Sequence, residues 1–357
     1  MEIQIRKISP KKRKPIPTDE SKLGFGKKVT DHFFNMKYHE DRGWYDAMIE
    51  PYRLISLDPT AMCLHYGQEI FEGLKAYRGR NGEIYLFRPT ENIERMNRSA
   101  ERMCMPAVDP DLFMDAIKKL VLLDKDWIPK GKGTSLYIRP TMIATEPALG
   151  VHPANEYLFF IVVGPVGAYY AEGFSPTKIY VTEDYVRSVR GSIGFCKAAA
   201  NYAASLYASK LAMEQGYTQV LWLDAIERKH VEEVGTSNIF FVIGNELITP
   251  PLSGSILPGV TRDSVIRIAK SWGIPVSERP LSMDEILAAS AQGTLKEVFA
   301  SGTAAIVSPV GQMFYRGNLH IISEGKIGAM TERLYNEILQ IQYGEKEDPF
   351  GWRIRIG

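Results

Sequence analysis

Lys197 is the one charged side chain in 191-GSIGFCKAAANYAASL-206, set between Gly-Phe-Cys and three alanines. An ammonium among apolar groups is costly. Such an amine has its charged form penalised and gives up its proton nearer neutrality than a solvated lysine does. An unprotonated amine is a nucleophile that bonds carbonyl carbons. The plainer account is a packed stem whose head snorkels to solvent.

Three more stretches have chemistry-bearing residues at suggestive spacing. In 232-EEVGTSNIFF-241, two carboxylates precede a Gly-Thr-Ser turn that leads into a strand. In 257-LPGVTRDSV-265, a Gly-Val-Thr opens a helix, whose first backbone N–H groups and threonine hydroxyl suit an anion. In 300-ASGTAA-305, a turn of small residues lets a ligand approach backbone amides closely. Each has an ordinary reading beside it: a solvated acidic turn, a capped helix start, a plain turn. Together with the lysine they are the parts that a pyridoxal phosphate site requires: an amine, an acid for the pyridine nitrogen and an anion hole for the phosphate.

These groups must be positioned by elements that the pattern partly reveals. 83-EIYLF-87 reads as a strand, and Thr90 as the N-cap of a helix over 91–103 that buries Ile93, Met96, Ala100 and Met103. A second helix over 111–126 buries Phe113, Ile117, Leu120 and Val121. Strands are predicted at 135–145, 157–166, 178–183, 219–224, 296–300 and 304–310, and a hairpin joins 238–243 to 246–250 through Gly244-Asn245. Helices are predicted over 199–215, ending at Gly216, and over 261–272, ending at Gly273. Clean alternation of strand and helix is missing, and so is a GxGxxG after a first strand, which argues against a doubly wound nucleotide-binding sheet.

The whole chain sets the limits. Its 357 residues suggest roughly two domains. Hydrophobic content of 45% and charged content of 24% are those of a soluble globular protein. A net charge of +1 gives no global field for nucleic acid, and the basic cluster 10-PKKRKP-15 reads as a solvated run. Three scattered cysteines without a Cys-x-x-Cys pair suggest neither zinc nor a disulfide framework, and six scattered histidines make a metal site unexpected. No apolar signal segment or membrane span is visible, so a cytoplasmic location is expected.

At this point the sequence resembles the branched-chain-amino-acid aminotransferases, pyridoxal phosphate enzymes of fold type IV. The resemblance runs from 28-KVTDHFF-34 to 341-IQYGEKE-347 and is most specific in 65-HYGQEIFEGLKAYRG-79, 87-FRPTENIERM-96, 136-LYIRP-140, the Lys-x-x-x-Asn-Tyr run at 197–202, 233-EVGTSNIF-240, 256-ILPGVTR-262 and 301-SGTAA-305. It implies an α+β fold with a smaller N-terminal α/β domain over 1–166, a connection at 167–177 and a larger C-terminal pseudo-barrel domain over 178–357. Lys197 resembles the lysine that bonds the cofactor, Glu233 the carboxylate at the pyridine nitrogen, and Tyr202 the tyrosine beside the phenolic oxygen. Arg95, Val260, Thr261 and Thr303 look like phosphate ligands, and Thr236 belongs to the same cofactor set. Tyr137, Arg139 and the amides of Thr303 and Ala304 look like carboxylate-recognition groups. Phe71, Tyr66, Tyr169 and Val151 of the partner subunit look like side-chain pocket walls. A homodimer and amino and 2-oxo acid substrates are implied, with L-leucine, L-isoleucine and L-valine as donors and 2-oxoglutarate as acceptor. Without the resemblance, Arg95 could not be chosen over Arg98 or Arg102, which share its helical stripe.

Two departures from the family pattern stand out. Where some members carry a Cys-x-x-Cys redox pair, this chain has Ala305 and Ser308. Where many have Gly-Gly, it has Ala199-Ala200, which narrows the space beside the cofactor. Relatives with the same lysine and acid include D-amino-acid aminotransferases and lyases, and a cofactor-binding protein without turnover is the alternative from another class.

Overall fold

The computed structural model describes residues 1–167 and 174–357. The chain divides into two compact units. The first comprises Met1–Ala171, Cys196–Ala200 and Gln340–Gly357, and the second Glu172–Phe195 and Asn201–Leu339. The expected connection at 167–177 falls mainly on residues outside the described ones. Two pieces of the C-terminal half, the segment carrying Lys197 and the last stretch of the chain, count with the first unit.

The first unit is built on a nine-stranded sheet. Its centre is the antiparallel ladder of His32–His39, Glu156–Val166 and Ser135–Ala144. Leu74–Arg78, Ile84–Phe87 and the C-terminal Arg353–Arg355 extend it on one side, and the short strand Glu69–Phe71 pairs with Ser135–Ala144. Helices Pro89–Arg102 and Pro110–Leu123 pack against each other, and the second also packs on His32–His39. Phe113 meets Phe159 edge-on at 4.8 Å, and Phe33, Phe34, Met36, Ile117 and Leu120 are buried with them.

The helix Pro89–Arg102 starts two residues earlier than an N-cap at Thr90 would allow. Pro89 occupies its first turn and Arg88 is the N-cap residue, with φ 49° and ψ 43°. Proline's fixed φ suits that position, and its missing N–H costs nothing there. Ile93, Met96 and Ala100 are buried as the period requires, but Met103 caps the helix end and is only half-buried. The second helix ends at Leu123, and the Asp109 carboxylate caps it by accepting from the Leu112 N–H at 2.8 Å.

The second unit is also organised on a nine-stranded sheet, with parallel and antiparallel pairs mixed. The Gly244-Asn245 hairpin forms as the dipeptide predicts, joining Asn238–Ile243 to Glu246–Thr249. Strands Leu295–Gly302 and Ile306–Tyr315 pair on either side of the Thr303–Ala305 turn. Ile179, Leu221, Ile239, Phe241, Val298 and Met313 form the centre of its core. Helix Ala199–Glu214 sets Ala208 and Ala212 against Val220 and Trp222. Helix Val260–Ser271 begins behind Gly259, which brings no side-chain cap.

Candidate active site

Lys197 is pinned by its backbone before its side chain is considered. Its N–H donates to Ser99 Oγ at 3.0 Å, and its carbonyl accepts from the Phe71 N–H at 3.0 Å. The next residue, Ala198, bridges to Ile70. Ser99 in turn donates its hydroxyl to the Arg95 carbonyl at 2.9 Å, so one hydroxyl ties the lysine segment to the helix that carries Arg95. The amine stands 4.8 Å from the centroid of the Phe71 ring. The side chain is half-buried, and its surroundings are less apolar than its sequence neighbours suggest, because the charge of Glu72 acts on it.

Glu72 is fully buried and has four hydrogen-bond donors. Arg95 Nε donates to one carboxylate oxygen at 2.6 Å and Arg95 Nη2 to the other at 2.9 Å. Asn92 Nδ2 at 2.8 Å and the Gly73 N–H at 3.0 Å complete the set. Burial alone would push this carboxyl up, but Arg95, Lys197 and the Asn92 amide hold it below the usual carboxylate range. Arg95 is itself 4% exposed, whereas Arg98 and Arg102 on the same helix are exposed and Arg98 pairs with Glu94 at the surface. Burial separates the three arginines that the periodicity left equivalent.

The sheet face beside Phe71 carries the expected carboxylate-recognition pair. Tyr137 and Arg139 alternate along Ser135–Ala144, so both side chains leave the same face. Arg139 Nη2 donates to the Tyr137 hydroxyl at 2.9 Å, and its guanidinium lies 4.5 Å from the Phe71 centroid. Gly73 makes room for this arrangement, since a Cβ there would stand 2.1 Å from the Tyr137 hydroxyl. Lys75 lies opposite Tyr137 in the ladder and so shares its face. It is buried, and desolvation brings its amine down to about 7. Tyr66 is exposed and donates its hydroxyl to the Leu149 carbonyl, and Val151 nearby in sequence is 82% exposed. Tyr169 lies outside the described residues.

In the second unit Glu233 is buried on the strand Val231–Val234. One oxygen accepts from Asn238 Nδ2 at 3.1 Å, and the other forms an ion pair with Arg187 Nη1 at 2.8 Å. The guanidinium of Arg187 is held by the carbonyls of Ser255 at 2.8 Å and Gly194 at 3.1 Å. Arg187, Tyr202, Thr236, Leu257 and Asn201 line one small pocket. Asn238 is also held by the Leu257 carbonyl at 2.9 Å, and only a glycine at 259 leaves space for it, since a Cβ there would stand 2.0 Å from Asn238 Oδ1. Val260 and Thr261 open the helix behind that glycine. Thr303 and Ala304 form the turn after Gly302, and the adjoining Ser301 hydroxyl is buried with no hydrogen-bond partner among the described residues.

Glu72, Ser99, Lys75, Arg187 and Asn238 are functional neighbours that sequence pattern does not single out. Glu72, Lys75 and Asn238 lie in the segments that carry the family resemblance, so their position is the one local signal they give. Arg187 lies in a segment without periodicity, and nothing local marks it. Among the described residues no group of histidine, cysteine and carboxylate side chains is arranged to hold a metal, and no helix is long and apolar enough to cross a membrane.

The family model for class IV amino-transferases matches residues 69–313. The chain belongs to the class IV aminotransferases. Branched-chain-amino-acid transaminase 1 of Bacillus subtilis (strain 168) is 55% identical over 346 residues, which span 97% of this chain and 96% of that protein. Among solved structures, the branched-chain amino acid aminotransferase of Escherichia coli matches with a TM-score of 0.76 and 28% identity over 92% of this chain and 100% of that one. The branched-chain amino acid aminotransferase of Thermobaculum terrenum, solved in its PLP-form, matches with a TM-score of 0.75 and 25% identity over 93% of this chain and 100% of that one. For this class IV aminotransferase the two-domain fold of type IV is thereby established.

Proposed function

We propose that the protein transfers the amino group of L-leucine, L-isoleucine or L-valine to 2-oxoglutarate with pyridoxal 5'-phosphate, releasing branched-chain 2-oxo acids and L-glutamate. The observation that carries this reading is the Phe71 ring, which has the Lys197 amine at 4.8 Å and the Arg139 guanidinium at 4.5 Å. A nucleophilic amine, a cation for carboxylates and an apolar wall suit an amino acid with a hydrocarbon side chain. The names of the relatives agree with it.

The residues fit a phosphorylated pyridine aldehyde. Its anionic end suits Arg95, Val260, Thr261 and Thr303, with the Ser301 hydroxyl, unpartnered among the described residues, beside that turn. Its ring nitrogen suits the buried Glu233, and Tyr202 and Thr236 line the pocket that Arg187 shares. When bound, the cofactor supplies a carbonyl carbon that bonds nitrogen and a ring that accepts the electron pair from the substrate's α-carbon. Lys197 would be the amine that holds the cofactor, and once released it would act as the base that moves the substrate's α-proton. Glu233 would hold the proton at the pyridine nitrogen. Tyr137 and the amides of Thr303 and Ala304 hold the α-carboxylate common to all substrates, while Arg139 takes the second carboxylate of glutamate. Tyr66, Phe71 and the partner subunit's Val151 wall the side-chain pocket of a homodimer. The enzyme works in the cytoplasm.

The test is direct. The purified protein is mixed with each L- or D-amino acid and 2-oxoglutarate, and glutamate is measured. Turnover with the three branched L-amino acids supports the reading. Turnover confined to D-amino acids, or none with any donor, sinks it.

A further inference from the structure

The geometry points to Glu72 as the positioning residue that aims Arg95 at the cofactor's phosphate and so selects the phosphorylated cofactor over its unphosphorylated form; this rests on the transaminase reading above and on Arg95 as a phosphate ligand. An arginine that is 4% exposed has little solvent to solvate it, and its orientation is set by what holds its fork. Glu72 takes Nε and Nη2 together, at 2.6 and 2.9 Å. Two parallel bonds to a planar guanidinium fix its plane as a single bond does not.

The carboxylate is itself immobilised. Asn92 Nδ2 at 2.8 Å comes from the same helix as Arg95, and the Gly73 N–H at 3.0 Å comes from the chain next to Glu72. A charge this enclosed would be strongly unfavourable without such donors. The cluster is therefore built to keep an ionised acid beside one arginine. It also reaches Lys197: Ser99 accepts from the lysine N–H and donates to the Arg95 carbonyl, so the same helix turn that aims the arginine registers the lysine's backbone. Glu72 acts through Arg95.

A purely structural role would weaken every ligand alike, so the test is a ratio. The holoenzyme is resolved and reloaded with pyridoxal phosphate or with pyridoxal, and the affinity for each is read from visible absorbance. Glu72→Gln keeps the volume but loses one acceptor and the charge. The ratio of pyridoxal phosphate to pyridoxal affinity should fall by about tenfold or more. Glu72→Asp keeps the charge on a shorter stem and should fall between wild type and Glu72→Gln; it carries the test if the glutamine variant does not fold. In an Arg95→Met background, Glu72→Gln should change the ratio no further. A ratio that stays level or rises in Glu72→Gln, while Arg95→Met lowers it, overturns the positioning role and leaves Arg95 as phosphate ligand intact. A ratio untouched by Arg95→Met removes the phosphate assignment itself, and the inference with it.

Discussion

Each unit buries a glutamate–arginine pair, and the two pairs are built in opposite senses. In the first unit the acid is saturated: Glu72 takes four donors and fixes Arg95. In the second unit the arginine is clamped by backbone: Arg187 is held by the Ser255 and Gly194 carbonyls, and it meets Glu233 at one oxygen. A buried pair contributes little net stability, but removing one partner strands a charge. The first pair is fixed through the donors on its acid, and the second through the backbone carbonyls on its arginine.

The contrast is broken most completely at Lys197, the amine that the first cluster registers. Lys197→Ala should lower transamination by roughly 10⁴-fold, the loss of a general base that is also the covalent anchor. Glutamate formation measures it, and borohydride reduction with peptide mapping should tag Lys197 in the parent protein. A variant within tenfold of the parent, or a tag on another lysine, would remove the assignment.

The two pairs themselves can be set against each other by urea unfolding. Arg95→Met should cost about 3–5 kcal/mol, because Glu72 is wholly enclosed and loses both bonds of the fork. Arg187→Met should cost less, since Glu233 loses one ion contact and keeps Asn238. Glu72→Gln combined with Arg95→Met should recover part of the first loss. Equal costs for the two arginine variants would contradict the difference in construction.

Lys75 sharpens the comparison through pH. Its folded-state value of about 7 lies below the ordinary lysine value of ~10.4, and burial is the cause. Between these values the unfolded chain binds more protons, so stability rises with pH across the window. The cost of burying the charge is fully present below pH ~7 and gone above ~10. Lys75→Met should therefore stabilise the protein most at pH 6, with the gain shrinking toward pH 10, as melting temperatures of both proteins at each pH would show. A gain independent of pH would mean that the amine is not titrating in that window.

The smallest effect is expected at Arg139. Arg139→Gln should weaken the half-reaction with glutamate or 2-oxoglutarate by ~2 kcal/mol, the scale of a lost charged hydrogen bond. The leucine half-reaction should fall much less. Single-turnover measurements on each half decide it, and equal losses would assign Arg139 to the common α-carboxylate or to the fold.

The sequence by itself determined the local features of this protein. Apolar residues at helical spacing marked the buried faces of the two helices in the first unit, Gly244-Asn245 marked a hairpin, and the alternation of Tyr137 and Arg139 set both on one face, because each of these depends on neighbours a few residues away. It also singled out Lys197, since a lone charge in an apolar run is a local anomaly. Spacing alone leaves Arg95, Arg98 and Arg102 equivalent, and the tertiary structure buries Arg95 while leaving the other two exposed, because burial is set by what packs on a helix and not by its period. Only the tertiary structure decided that the surroundings of Lys197 include a buried carboxylate rather than apolar groups alone, and that the chain's last strand pairs with Ile84–Phe87. Glu72 reaches Arg95 across 23 residues, and Arg187 reaches Glu233 from a segment with no pattern of its own. Ion-pair partners are selected by which side chains a fold encloses together, and no spacing rule along the chain encodes that choice.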